Sequence, residues 1–180
     1  AMYTHQNGIL KLSAQLFPLK PGEKREVRLE LQLPGDKWIE TAKVEVLYPG
    51  WDAHFRIEKW ENSNDVKYRV CHGKKAKFEG LIRKDPVDKH EIVVANLSCN
   101  SSRTNGPRME IVENLKWHNP DLLFFGGDQH YRHTEHTTGW IEFGLQYRDI
   151  IRDRPTICIP DDHDVGHGNV WGENGKRSTI

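Results

Sequence analysis

Three short blocks in the second half of the chain concentrate side chains that bind metals and move protons. They are Ser98-Cys99-Asn100, Gly126-Gly127-Asp128-Gln129-His130-Tyr131 and Pro160-Asp161-Asp162-His163-Asp164. Each block directly follows an apolar run, and in open α/β sheets ligands bind at the carboxyl ends of the strands. Three successive strand ends would bring a thiol, several carboxylates, imidazoles and a phenol to one rim. Asp128 beside two or three of Asp161, Asp162 and Asp164 places like charges close together, which raises carboxylate pKa values and opposes folding. No Lys or Arg lies inside the three blocks. A multivalent cation is the economical counter-charge, and two cations fit the number of ligands better than one. Taken alone, Asp161–Asp164 also reads as a plain polar turn.

Rival motifs on the same residues fail or stay weak. Asp162, Asp164 and Glu173 fall at positions 1, 3 and 12 of a calcium loop, but Gly166 and His167 occupy positions 5 and 6, which excludes an EF-hand. Gly166-His167-Gly168 followed by Gly172 makes a poor nucleotide loop, because the preceding aspartates repel a pyrophosphate. His130, His133 and His136 are regularly spaced, yet on a helix they would cover an arc of about 120°, too wide to converge on one ion. His133 and His136 are therefore read as loop histidines without a direct role, or at most in contact with substrate.

The elements that must position these blocks divide in two. Arg25–Leu33, Thr41–Leu47, Phe55–Glu58, Val66–Cys71 and Lys77–Arg83 alternate apolar and polar residues with period two. Five such strands separated by turn-rich segments predict an antiparallel β-sandwich with one solvated face, of the immunoglobulin or fibronectin III type. After Lys84-Asp85-Pro86 the pattern changes. Ile92–Leu97 is a continuous apolar run, as expected of a strand buried on both faces of a parallel sheet. Pro107–Trp117 has helical spacing, Leu122–Phe125 is a second buried strand, Trp140–Ile151 a second helix, and Thr156–Ile159 a third strand. That alternation predicts an α/β domain. The expected organisation is a sandwich over 1–88 and an α/β unit over 89–180.

Charge supports the division. The 180 residues carry 26 Lys+Arg against 26 Asp+Glu, which argues against a nucleic-acid or anionic-membrane binder. Residues 1–88 hold 16 basic and 13 acidic side chains, and residues 89–180 hold 10 and 13, so the acidic half is the one with the three blocks. No apolar run approaches the roughly 20 residues of a membrane helix. Ala1-Met2 reads as residues added for expression, so a missing export signal there carries little weight. Three widely spaced cysteines, Cys71, Cys99 and Cys158, suit neither a disulfide scaffold nor a CxxC metal site. By type alone each is a small buried hydrophobe.

Taken in order, the blocks resemble the calcineurin-like metallophosphoesterases, and more closely their PhoD-like alkaline phosphatase/phosphodiesterase branch. That branch has a strand ending in Ser-Cys, then GDxxY, then DDH(E/D), matched here by Ser98-Cys99, Gly127-Asp128-Gln129-His130-Tyr131 and Asp161-Asp162-His163-Asp164. It also commonly carries an N-terminal immunoglobulin-like sandwich. The resemblance implies metal-dependent hydrolysis of phosphate monoesters or diesters by a metal-bound hydroxide at a two-metal site. It implies that Asp128 bridges the metals, that Cys99 and Tyr131 are thiolate and phenolate ligands, and that Asp162 is a further ligand. His163 would act as general acid or stabilise the phosphoryl oxygens. Thiolate and phenolate beside carboxylates suit iron, while an oxygen-rich second site suits calcium, with Mn, Mg or Zn as substitutes.

Smaller roles follow. Asn100 and Asn169 are expected near substrate, Asp161 and Asp164 as partners that orient His163 or a ligand, and His130 beside the site. Extracellular or periplasmic location rests on the resemblance alone. The later blocks of the superfamily, a Gly-His and a Gly-His-x-His or equivalent acid, do not follow among the 17 residues after His163. The expectation is a chain that begins such an enzyme without completing its metal shells, and so is inactive alone. Two other classes remain open: a sandwich-led binding or adhesion module without catalysis, and a different, zinc-type metallohydrolase.

Overall fold

A computed structural model describes residues 1–101 and 108–165. Seven strands, not five, build the first part: β1 (Met2–Gln6), β2 (Ile9–Gln15), β3 (Glu26–Leu33), β4 (Lys37–Glu45), β5 (Asp52–Glu58), β6 (Val66–His72) and β7 (Ala76–Ile82). The additional pair, β1 and β2, is an antiparallel hairpin in which Gln6 faces Ile9. Its two-residue turn, Asn7-Gly8, has φ of 51° and 71°. Such left-handed turns match the twist of the flanking strands and favour Asn-Gly. The strands form a three-stranded sheet in the order β1-β2-β5 and a four-stranded sheet in the order β4-β3-β6-β7. Their alternating residues meet in one core, with Leu10, Leu12 and Phe55 from the first sheet against Val27, Leu29 and Tyr68 from the second.

The second part contains β8 (Val94–Leu97), α1 (Met109–His118), β9 (Leu122–Gly126), α2 (His136–Gln146), α3 (Arg148–Ile151), β10 (Thr156–Ile159) and the single turn α4 (Asp162–Val165). β8, β9 and β10 form a parallel sheet in the order β10-β9-β8. Val112, Leu115, Phe143, Ile150 and Ile151 of the helices pack on Leu123 and Phe125. The helices therefore cover one face of the sheet. On the opposite face Val94 is 51 % and Ile159 46 % exposed. Ile92–Leu97 is thus not buried on both faces: β8 is an edge strand among the described residues, and its apolar run keeps one side open. Trp140–Ile151 is likewise two helices rather than one, divided at Tyr147.

The two parts interlock. Tyr3 on β1 makes a bridge with Pro155, just before β10. Tyr68 donates its hydroxyl hydrogen to the Arg152 carbonyl at 3.1 Å, and the Leu81 N–H donates to the Asp153 carboxylate at 3.0 Å. Met2 packs on the second core while its neighbour Tyr3 is buried in the first. The α/β sheet is held against the sandwich on the side where β10 emerges, so the loop after β10 starts from a fixed strand. Among the described residues no helix is long and apolar enough to cross a membrane.

Candidate metal centre

The three blocks meet beyond the carboxyl ends of β8, β9 and β10. Parallel pairing sets Leu97 beside Phe125 and Ile159 beside Gly126, so all three strands stop at one level. The chain then turns sharply twice. Cys99 and Asp128 both take left-handed backbone angles, with φ of 54° and 55°, and Gly127 has φ of 100°. The two turns are tied together: the Cys99 N–H donates to the Gly127 carbonyl at 3.2 Å, and the Asn100 N–H to the Asp128 carbonyl at 2.8 Å. Gly127 is required on two counts. Its φ is strained for any L side chain, and a Cβ there would lie 2.4 Å from Asp161 Cβ.

Asp128, 6 % exposed, lies at the centre. Its Oδ2 accepts the Tyr131 hydroxyl hydrogen at 2.8 Å and lies 3.8 Å from Cys99 Sγ. Its Oδ1 accepts the backbone N–H of His163 at 3.3 Å. Asp128, Asp162 and His163 each offer one ligand atom within 4.8 Å of the others. Thiol, phenol, a second carboxylate and an imidazole thus gather around one carboxylate that has a different neighbour on each oxygen. Burial, followed by the hydrogen bonds with Asp128 and Cys99, pushes the Tyr131 phenol well above its ordinary range. A bound cation reverses that preference, because it stabilises the anions that this pocket otherwise disfavours. The donor set fits a metal: soft thiolate and hard phenolate on one side of Asp128, the Asp162 carboxylate on the other.

Asp164 holds this arrangement from beneath. Its carboxylate accepts backbone N–H groups from Asp128 at 2.6 Å, Gln129 at 2.8 Å, His130 at 3.4 Å and Asp161 at 3.0 Å. Burial raises its pKa while these donors pull it down. Every one of these partners is a donor, so the loop binds the ionised form. Asp164 therefore orients the backbone of the second block rather than His163. Asp161 is exposed, and its Oδ1 accepts the Asp162 N–H at 2.8 Å.

The remaining residues separate into struts and rim. Asn100 donates to the Gln129 carbonyl and to Gln146 Oε1, and accepts from Arg108 Nε at 2.7 Å, so its amide is committed within the protein. His130 is buried against Gly139; its Nδ1 accepts the Arg132 N–H at 3.2 Å, and burial followed by repulsion from His136 and His133 lowers its pKa to about 4. It is a neutral packing residue at neutral pH. Asn169, like Glu173, lies outside the described residues. The spacing argument for His133 and His136 assumed a helix, but α2 starts only at His136. His136 Nε2 hydrogen-bonds with the Asp164 carbonyl at 2.7 Å, and His133 Nε2 lies 2.7 Å from His163 Nδ1. The helical spacing therefore does not decide the role of either.

Exposure ranks the three thiols. Cys99 is exposed, Cys71 is buried, and burial pushes the Cys158 thiol up to about 12. Alkylation of the native chain with iodoacetamide is expected to modify Cys99 first, read by mass spectrometry of peptides, and metal loading is expected to slow that reaction. Equal labelling of Cys158 and Cys99 would contradict the geometry.

Several solved structures share this fold. A structure described as that of PhoD superposes with a TM-score of 0.75 at 14 % identity, over 99 % of this chain and 41 % of its own. Purple acid phosphatase PPD1 from yellow lupin (Lupinus luteus) seeds superposes with a TM-score of 0.66 at 13 % identity, over 97 % of this chain and 38 % of its own. The chain thus spans about two-fifths of the length of each. Comparison by sequence finds no matching protein-family profile and no matching curated protein. At these identities the likeness is one of fold.

Proposed function

We propose that this chain carries part of a metal-dependent phosphoesterase centre of the PhoD-like kind, acting on small phosphate monoesters or diesters. The observation that carries the reading is the position of Asp128, with Tyr131 and Cys99 at one carboxylate oxygen and the His163 backbone N–H at the other. Cys99, Tyr131 and Asp128 would hold an iron-like ion, and Asp128 with Asp162 a second, oxygen-preferring ion such as calcium. Two cations held there would supply an activated water at neutral pH and offset charge on the phosphoryl group.

The chain's own residues prepare the rest. Asp164 fixes the backbone that aims Asp128, and Asn100 links the first block to the loop after β9. His163 faces the carboxylates and donates to the phosphoryl or leaving oxygen. The sandwich, with β1-β2-β5 facing β4-β3-β6-β7, is read as fibronectin III-like, with the division of the chain near residue 88. Its role is to buttress β10 and the third block.

Hydrolysis of bis(p-nitrophenyl) phosphate and p-nitrophenyl phosphate by the metal-loaded whole protein that contains this chain, with Cys99→Ser and Asp128→Asn as variants, tests the reading. Metal-dependent turnover lost in both variants supports it. Turnover without metal, or unchanged in both, overturns it. Activity with zinc alone that survives Cys99→Ser but not His130→Ala transfers the assignment to a zinc-type hydrolase, and metal binding without turnover to a non-catalytic module.

A further inference from the structure

His133 Nε2 and His163 Nδ1 are 2.7 Å apart, with ring centroids 4.9 Å apart and ring planes 16° apart. Two ring radii added to the nitrogen–nitrogen distance account for nearly all of the centroid separation. The rings therefore meet edge to edge in nearly one plane, as an N–H···N hydrogen bond requires. The tilted ring of Tyr131, 4.2 Å from that of His163, covers its face. The other nitrogen of His163, Nε2, lies 4.0 Å from Asp162 Oδ2, within the group formed with Asp128. One edge of the His163 ring thus faces anionic oxygens and the other a second imidazole.

From this geometry we infer that His133 is a positioning residue, whose Nε2–H donates to His163 Nδ1 and keeps the His163 proton on Nε2, the edge that faces the carboxylates and the reacting oxygens. A neutral imidazole carries one N–H and one lone pair. An N–H toward a carboxylate is attractive and a lone pair there repulsive, but at 4.0 Å that bias toward Nε2 is incomplete, and the 2.7 Å contact at Nδ1 completes it. Nδ1 is then an acceptor, and His133 has to be the donor. Through this bond, His133 presents His163 as a hydrogen-bond donor to the phosphoryl or leaving oxygen, with no proton lost from either ring in the ground state. The catalytic consequence rests on the phosphoesterase reading; the tautomer does not.

Long-range ¹H–¹⁵N NMR of the metal-free full chain, followed upward in pH until the ring shifts stop changing, reads the neutral tautomer directly. The wild type is expected to show His163 protonated on Nε2 alone. His133→Phe keeps a ring in place but removes the donor and is expected to give mixed tautomers. His133→Gln offers an amide N–H at a similar reach and restores the Nε2 form. In the metal-loaded protein, His133→Phe is expected to lower kcat about ten- to hundredfold, the usual cost of losing an outer orienting partner, with KM little changed. The loss is larger for an alkyl than for a p-nitrophenyl leaving group, which needs less help from a donor. A wild-type His163 protonated on Nδ1, or a tautomer identical in wild type and His133→Phe, overturns the inference. Absence of ester hydrolysis in every preparation overturns the phosphoesterase reading, while the NMR result still decides the role of His133.

Discussion

Asp128→Asn is expected to lower metal-dependent ester hydrolysis by at least about a thousandfold, equivalent to about 4 kcal/mol of lost transition-state stabilisation. The substitution is nearly isosteric. The new amide oxygen still accepts from Tyr131, which donates to Oδ2 of the native carboxylate. What disappears is the negative charge between the thiol and phenol on one side and Asp162 and His163 on the other. Without metal the variant is expected to be within about 1 kcal/mol of the wild type in denaturant unfolding, because removing one of several clustered carboxylates offsets an imperfect hydrogen bond. Loss of metal-dependent activity at nearly constant metal-free stability separates ligation from folding. A similar loss of metal-free stability would mean that Asp128 is only structural.

Asp164→Leu is expected to have the largest effect on stability, about 3–5 kcal/mol in urea or thermal unfolding. Four backbone N–H groups share that carboxylate, and three of them belong to Asp128, Gln129 and His130, which are all buried. Leucine fills the space and satisfies none of them, and each unpaired buried donor costs about 1–3 kcal/mol, partly relieved by local rearrangement. Asp161→Ala is the comparison. It removes one acceptor from the exposed start of α4 and is expected to cost about 1 kcal/mol, as loss of a helix N-cap does. Equal losses in the two variants would contradict the placement of Asp164 under the second block.

The sequence made the site legible because each block stands at the end of an apolar strand, and parallel pairing brings strand ends to one level. Asp128, Tyr131, Cys99, Asp162 and His163 meet for that reason. The struts were harder to see. Asn100 finds Gln146 across 46 positions, and Asp164 finds the Asp128 N–H across 36. Neither partner has a local pattern, because backbone donors look alike in any sequence. His133 and His136 were set aside on a helical spacing that does not apply before α2. The β1–β2 hairpin lies outside the five strands read from the sequence, although Asn7-Gly8 before the alternating Leu10, Leu12 and Ala14 is a turn signal. Ile92–Leu97 misled in the other direction: an apolar run fixes a strand but not how many of its faces are covered.

The central claim is that Cys99, Tyr131 and Asp128 form a metal site. Titration of ferric iron into the purified full chain, followed by visible absorption, tests it most directly, since a phenolate bound to ferric iron gives a charge-transfer band that free iron and free tyrosine lack. A saturable band that is absent in Tyr131→Phe and strongly weakened in Asp128→Asn is the expected result. No band, or one unchanged in Tyr131→Phe, would contradict the claim.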